Sequence, residues 1–148
     1  MVLIEIKPTQ IEHIDAFVAM EKAGTTSSYI IPYSKEQHLA EMHKEDNVYL
    51  SVFHQGVLAG FIILACEADQ SVEFRRIVIA SKGQGVGQKA ISLMETHCVK
   101  QLNCKRIWLD VFESNLRGIH IYNKLGYRPF DDSLHMGKKL ILMEKKFY

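Results

Sequence analysis

The chain has 148 residues, 47% of them apolar and 24% charged, with a formal net charge of +1. That length suits one domain spanning 1–148 with a sizeable core, and the composition excludes a disordered chain. Near-neutral charge gives no electrostatic case for nucleic acid or an anionic membrane as the main partner, so any polyanion site must be local.

The spacing predicts a short strand over Leu3 to Lys7, stopped by Pro8. Thr9 can cap a helix, with Glu12 three residues on completing a capping box. Ile11, Ile14, Phe17 and Val18 form its apolar stripe, and Gly24 to Ser28 break it. Ser34 can cap a second helix over Lys35 to Lys44, with a charged exposed side. Val48 to Phe53 and Val57 to Cys66 read as two strands joined by the turn His54-Gln55-Gly56. Val72 to Ile79 is a third apolar, β-branched run. It ends in a loop with glycines at alternate positions, Gly83, Gly85 and Gly87, which opens into a helix with Ala90, Ile91, Met94, Cys98 and Leu102 on one face. Lys105 to Phe112 alternates, with Ile107, Leu109 and Val111 on one side and Trp108, Asp110 and Phe112 on the other. Ser114 or Asn115 caps the next helix, Gly126 is placed to end it, and Lys139 to Phe147 is the last strand. The order β, α, α, β, β, β, loop, α, β, α, β, β predicts an α/β (α+β type) domain, a mixed, mostly antiparallel sheet flanked by helices.

Three cysteines, Cys66, Cys98 and Cys104, form no disulfide framework and read as buried thiols in a reducing compartment. No Cys/His cluster has zinc spacing. The N-terminus lacks a basic signal region, and no stretch approaches a membrane span. A cytoplasmic location is the expectation.

The glycine loop carries the chemistry. A nucleotide P-loop needs Gly-Lys-Ser/Thr after its spacer, but Lys89 here follows Gln88 and precedes Ala90. A dinucleotide fingerprint needs its third glycine one position later, although Asp110 lies at a suitable distance for a ribose contact. The chain also lacks room for the parallel units of such a fold. The remaining readings are an acyl-CoA pyrophosphate loop and a glycine-rich turn with no ligand. Three alternating glycines flanked by Lys82 and Lys89, at a helix start, favour anion binding.

Lys82-Gly83-Gln84-Gly85-Val86-Gly87 resembles the Arg/Gln-x-x-Gly-x-Gly/Ala loop of the GNAT superfamily of N-acetyltransferases. Asn115 through Tyr127 is similar to its second motif, Asn-x-x-Ala-x-x-x-Tyr-x-x-x-Gly-Phe/Tyr. Phe74 to Ile79 and the short spacer after it resemble the ribosomal-protein N-terminal acetyltransferase branch. Gly118 stands where the family has alanine, which should loosen the helix. The resemblance implies acetyl-CoA as cosubstrate. It places Ile77, Val78 and Ile79 along the pantetheine and the thioester carbonyl, with a bulge in that strand. Lys82, Gly83, Gln84, Gly85, Val86, Gly87 and Gln88 would serve the pyrophosphate, and Asn115 would add a contact. Tyr122 would be the general acid for the leaving thiolate; its other reading is a core aromatic beside Ile119 and Leu125.

Glu73 is the candidate base, with simple pairing to Arg75 as the alternative. No histidine stands out: His120 falls on another helix face than Tyr122, and His13, His38 and His43 read as solvated. By the resemblance Gly24 to Tyr33 would help shape the acceptor site; its other reading is an uninvolved surface turn. The expected reaction is direct acetyl transfer to a primary amine, either a protein N-terminal α-amine or a small molecule, with no cysteine intermediate. The alternative is a non-catalytic acyl-CoA-binding module or sensor. A homodimer is expected by analogy alone.

Overall fold

The computed structural model describes residues 3–23, 31–80 and 85–147. The elements are β1 (Ile4–Pro8), a single 3-10 turn (Ile11–His13), α1 (Ile14–Lys22), α2 (Lys35–Met42), β2 (Asn47–His54), β3 (Val57–Cys66), β4 (Ser71–Ile79), α3 (Val86–Gln101), β5 (Arg106–Phe112), α4 (Leu116–Lys124), β6 (Arg128–His135) and β7 (Lys138–Lys146). They form one seven-stranded sheet in the order β1-β2-β3-β4-β5-β7-β6. Among the described strands only β4 and β5 run parallel; every other neighbour pair is antiparallel. The predicted element order and sheet class hold.

Two apolar layers sandwich the sheet. The larger gathers Leu50, Val52, Ile62, Leu64, Val72, Phe74, Ile107 and Leu109 under α3, with Ile119, Tyr122 and Leu125 of α4 packed against it. The smaller packs Ile14 and Phe17 of α1 on Tyr49, Phe61, Ile63 and Val78. Burying a Phe, Ile or Leu contributes ~1.5–3 kcal/mol, so each layer holds its helices without strong intrinsic propensity. Gly60 keeps β3 close to β4: a methyl there would lie 2.2 Å from the Val78 carbonyl oxygen.

Local chemistry departs from expectation at the first helix. The Thr9 hydroxyl bonds the buried Ser51 hydroxyl at 2.8 Å instead of capping. Gln10 takes the N-cap position and forms a capping box with His13. Ser34 does cap α2, with Gln37 as the partner of its box. His38 is not solvated but wholly buried. His13 is half-buried and bonded to Ser51 at 3.0 Å. Among the described residues no helix is long and apolar enough to cross a membrane.

Candidate active site

β4 and β5 touch through three register pairs, Ser71 to Arg106, Val72 to Ile107 and Glu73 to Trp108, and then part. β4 continues beside β3 as far as Ile79, while β5 continues beside β7 as far as Phe112. The result is a V between Phe74–Ile79 and Leu109–Phe112. Main-chain groups on its inner edges have lost their ladder and need another hydrogen-bond partner. An extended amide-bearing chain fits that need, because it can replace the missing strand.

The bulge lies in the expected strand but earlier than Ile77. Arg76 pairs with Ile63 and Phe74 with the next residue, Leu64, so Arg75 is the extra residue. Ile77, Val78 and Ile79 pair regularly with β3. Ile77 packs with the α3 layer, and Val78 is buried in the α1 layer.

At the wide end of the V, Gly85 occupies the N-cap position of α3 with φ 70°. Among the described residues a β-carbon at Gly85 would meet nothing within 4 Å, and one at Gly87 would come no closer than 3.7 Å to Ile79. Packing therefore does not require glycine at 87, even though glycine costs a helix up to ~1 kcal/mol relative to alanine. Open backbone at a helix start, with no acidic residue in its first turn, suits a phosphate. Val86, Gly87 and Gln88 supply its first amides. Lys82, Gly83 and Gln84 lie outside the described residues, as does the part of the Gly24 to Tyr33 segment before Ile31.

At the narrow end, Tyr122 of α4 packs edge-on against Phe74 at 6.2 Å and against Tyr127 at 6.1 Å. Burial, with a further push from the Asp110 charge, raises its phenol to about 12. The two expected readings of Tyr122 are thus compatible, since the ring packs in the core while the Asp110 charge still acts on its phenol. Asn115 accepts a bond from the Gly118 amide at 3.0 Å and so caps α4. A methyl at 118 would come within 2.7 Å of that side chain, which gives the glycine a local reason.

Glu73 and Arg75 meet, as the alternative reading expected. Arg75 donates to Glu73 Oε1 through Nε at 3.3 Å and Nη2 at 3.0 Å, and Nη1 reaches Glu41 Oε2 at 3.5 Å. Asp110 was weighed in the sequence only as a ribose ligand. It stands on β5 two residues beyond Trp108, hence on the side of the sheet opposite Ile107 and Leu109. Its carboxyl stands above the ordinary value because desolvation outweighs the charges of His135 and Arg75, although the residue is exposed at the surface. It is the ionisable group that couples to Tyr122, and the sequence signal for it was one acidic residue on the non-core side of an apolar strand.

Beside this end lies a cavity of about 400 Å³, bordered by Glu45, Asp46, Glu67 and Glu73 and by Lys44 and Arg75. The Trp108 indole N–H of β5 donates at 2.8 Å to Glu67, one of the bordering carboxylates. Carboxylates outnumber cations along this wall, although the whole chain carries +1.

Residues 14–127 match the acetyltransferase (GNAT) family. The spermine/spermidine N(1)-acetyltransferase of Bacillus subtilis (strain 168) is 26% identical over 152 aligned positions, covering 95% of this chain and 98% of that protein. The spermidine N-acetyltransferase of Vibrio cholerae, solved with CoA and spermine, superposes with TM-score 0.85 at 19% identity, covering 97% of this chain and 95% of that one. The ribosomal-protein-S18-alanine N-acetyltransferase of Escherichia coli gives 0.81 at 17% identity, over 97% and 94%.

Proposed function

The chain belongs to the GNAT acetyltransferase family, and from that premise we propose that it acetylates a primary amine of a polyamine-like polycation. It is an acetyl-CoA-dependent N-acetyltransferase. The observation that carries the acceptor class is the carboxylate-rich cavity at the narrow end of the V, which attracts a substrate bearing several positive charges. The names of the Bacillus and Vibrio relatives support the same class.

The reaction follows from the placement. On this reading the thioester lies in the V, where the amide-bearing arm of acetyl-CoA takes the place of the strand partner that β4 lacks, and the α3 amides hold the pyrophosphate. The acceptor reaches it from the carboxylate side. Its nitrogen attacks the thioester carbonyl, the C–S bond breaks, and a proton leaves nitrogen as sulfur takes up negative charge. A polyamine amine near ~10.4 is almost wholly protonated at neutral pH, so a base must act. Asp110 suits that step because its carboxyl has a raised proton affinity. Glu73 is the second candidate; its Oε1 already holds two Arg75 hydrogen bonds. Tyr122 stays protonated across the physiological range and donates to the departing thiolate.

The finer resemblance, to ribosomal-protein N-terminal acetyltransferases, rests on the Phe74 to Ile79 strand and the short spacer. It would make a protein α-amine the acceptor. With a pKa of ~8 that amine needs less help from a base, and a wall of carboxylates is not required to recognise it. The free cysteines, two of them buried, support a reducing, cytoplasmic setting.

A kinetic panel decides the acceptor. We expect kcat/KM for spermine or spermidine to exceed that for short peptides with free α-amines by at least tenfold at low salt, and the gap to narrow as salt rises. Preference for a peptide α-amine overturns the polyamine assignment.

A further inference from the structure

Arg75 and Arg76 are consecutive, and in a regular strand their side chains would leave opposite faces of the sheet. The bulge at Arg75 removes that alternation. Both guanidinium groups reach the helical pair that covers the α1 side. Arg75 touches Glu41 of α2. Arg76 donates through Nη1 to Glu21, in the last turn of α1.

Glu21 is wholly buried and collects three donors. Its Oε2 takes Arg76, and its Oε1 takes His38 Nε2 and, at 3.3 Å, the Tyr33 amide. Burial alone would push this carboxyl up; the His38 hydrogen bond and the Arg76 charge more than reverse that, and it sits below its ordinary value. His38 Nδ1 lies 2.8 Å from the Tyr49 hydroxyl. Arg76 already balances Glu21. The Arg76 guanidinium also lies 4.1 Å over the Tyr33 ring.

These contacts form a closed circuit. Arg76 runs through Glu21 to His38 on α2. Glu41, one helical turn beyond His38, runs back to Arg75. Two adjacent residues at the bulge thereby fix the height and rotation of α2 over the narrow end of the V. A buried ion pair is a poor source of stability, because apolar residues of similar volume commonly do as well. Its value lies in geometry: the planar Arg76 guanidinium bonds Glu21 through Nη1 while its plane lies over the Tyr33 ring, an arrangement an ammonium does not reproduce.

We propose that Arg76, acting through Glu21 and His38, is a positioning residue for the acceptor amine, locking α2 and its Glu41–Arg75 contact over the β4 bulge. Among the described residues its guanidinium engages Glu21 and Tyr33, not Gly85 to Gln88 at the start of α3. Its removal should therefore weaken acceptor binding and leave acetyl-CoA binding intact. The proposal builds on the acetyltransferase activity and is independent of the acceptor class.

The test is Arg76→Lys, which keeps the charge balance and loses the planar guanidinium over Tyr33. The acceptor is whichever of spermine or a free-α-amine peptide the wild-type protein turns over faster, so failure of the polyamine assignment leaves the test standing. We expect KM for the amine to rise at least tenfold, kcat to change less than threefold, and the acetyl-CoA Kd by calorimetry to stay within twofold. An amine KM within twofold of wild type overturns the proposal, as does a parallel loss of acetyl-CoA binding. If Arg76→Lys does not fold, the same three readings are taken on Glu21→Gln, which retains an acceptor for His38 and Tyr33, and the same criteria apply.

Discussion

Replacing Tyr122 by Phe separates the acid from the core aromatic. The ring keeps its edge-on contacts with Phe74 and Tyr127, so only the hydroxyl is removed. The magnitude follows from proton affinities. The phenol stands at about 12 and a thiol near ~8.5, so full proton transfer to a free thiolate runs uphill by ~5 kcal/mol. On the proposed assignment Tyr122 therefore acts chiefly as a hydrogen-bond donor to the charge growing on sulfur. A hydrogen bond to a charged group contributes ~1.5–3 kcal/mol, which corresponds to ~10- to 150-fold in rate. Stopped assays that follow thiol release should show kcat for Tyr122→Phe reduced within that range. The acetyl-CoA Kd should hold, and the melting temperature should change little. The sign of the pH dependence is also fixed: the protonated phenol is the working form and is lost only as pH rises through about 12. No descending limb below pH ~10 should disappear in the variant. A kcat within threefold of wild type would refute the acid role and leave Tyr122 as packing.

Asp110→Asn should lower kcat/KM for the amine by ~10²-fold or more and abolish an ascending acid limb whose midpoint lies above the ordinary 3.8 of an aspartate, because the base form grows as pH rises through the raised value; Glu73→Gln should leave that limb in place, and a pH–rate series on the two variants decides between them. Gly87→Ala should raise stability by up to ~1 kcal/mol in a thermal melt while weakening acetyl-CoA binding in calorimetry, since among the described residues its methyl meets only Ile79, at 3.7 Å; unchanged binding would count against close backbone approach by the pyrophosphate. Gly60→Ala should lower stability by ~1–3 kcal/mol in urea titration, because its methyl falls 2.2 Å from a main-chain oxygen that cannot move without parting β3 from β4.

What the sequence made legible was local. Strand alternation in Ile107, Leu109 and Val111, the Ser34 cap and the glycine turn into α3 each depend on neighbours a few residues away. The Thr9 cap misled because its rival partner, Ser51, lies 42 residues on. His38 misled for the same reason. A histidine among Lys35, Glu36, Gln37 and Glu41 reads as solvated, and only Glu21, Tyr49 and Arg76 from other elements make a buried site for it. The bulge position was hidden because it is a property of pairing between β3 and β4, not of either strand alone. Asp110 was underweighted because the side of β5 away from α3 borders the site only after the V has formed.

The two faces of the sheet divide the proton traffic. Tyr122 approaches the V from the α3 layer, while Asp110, Glu73 and Arg75 stand on the opposite side, joined to α2 through Glu41. An incoming amine and a departing sulfur occupy different sides of the reacting carbonyl, so an acid and a base held on opposite faces can act without neutralising each other. They are nevertheless coupled. After burial, the negative charge of Asp110 is what holds the Tyr122 phenol up. On the proposed assignment, Asp110 loses that charge when it takes the proton from the amine. The phenol then becomes a better acid at the step where sulfur needs a donor. Two weakly matched groups thereby come into sequence, and the proton gained at one face eases the proton given at the other.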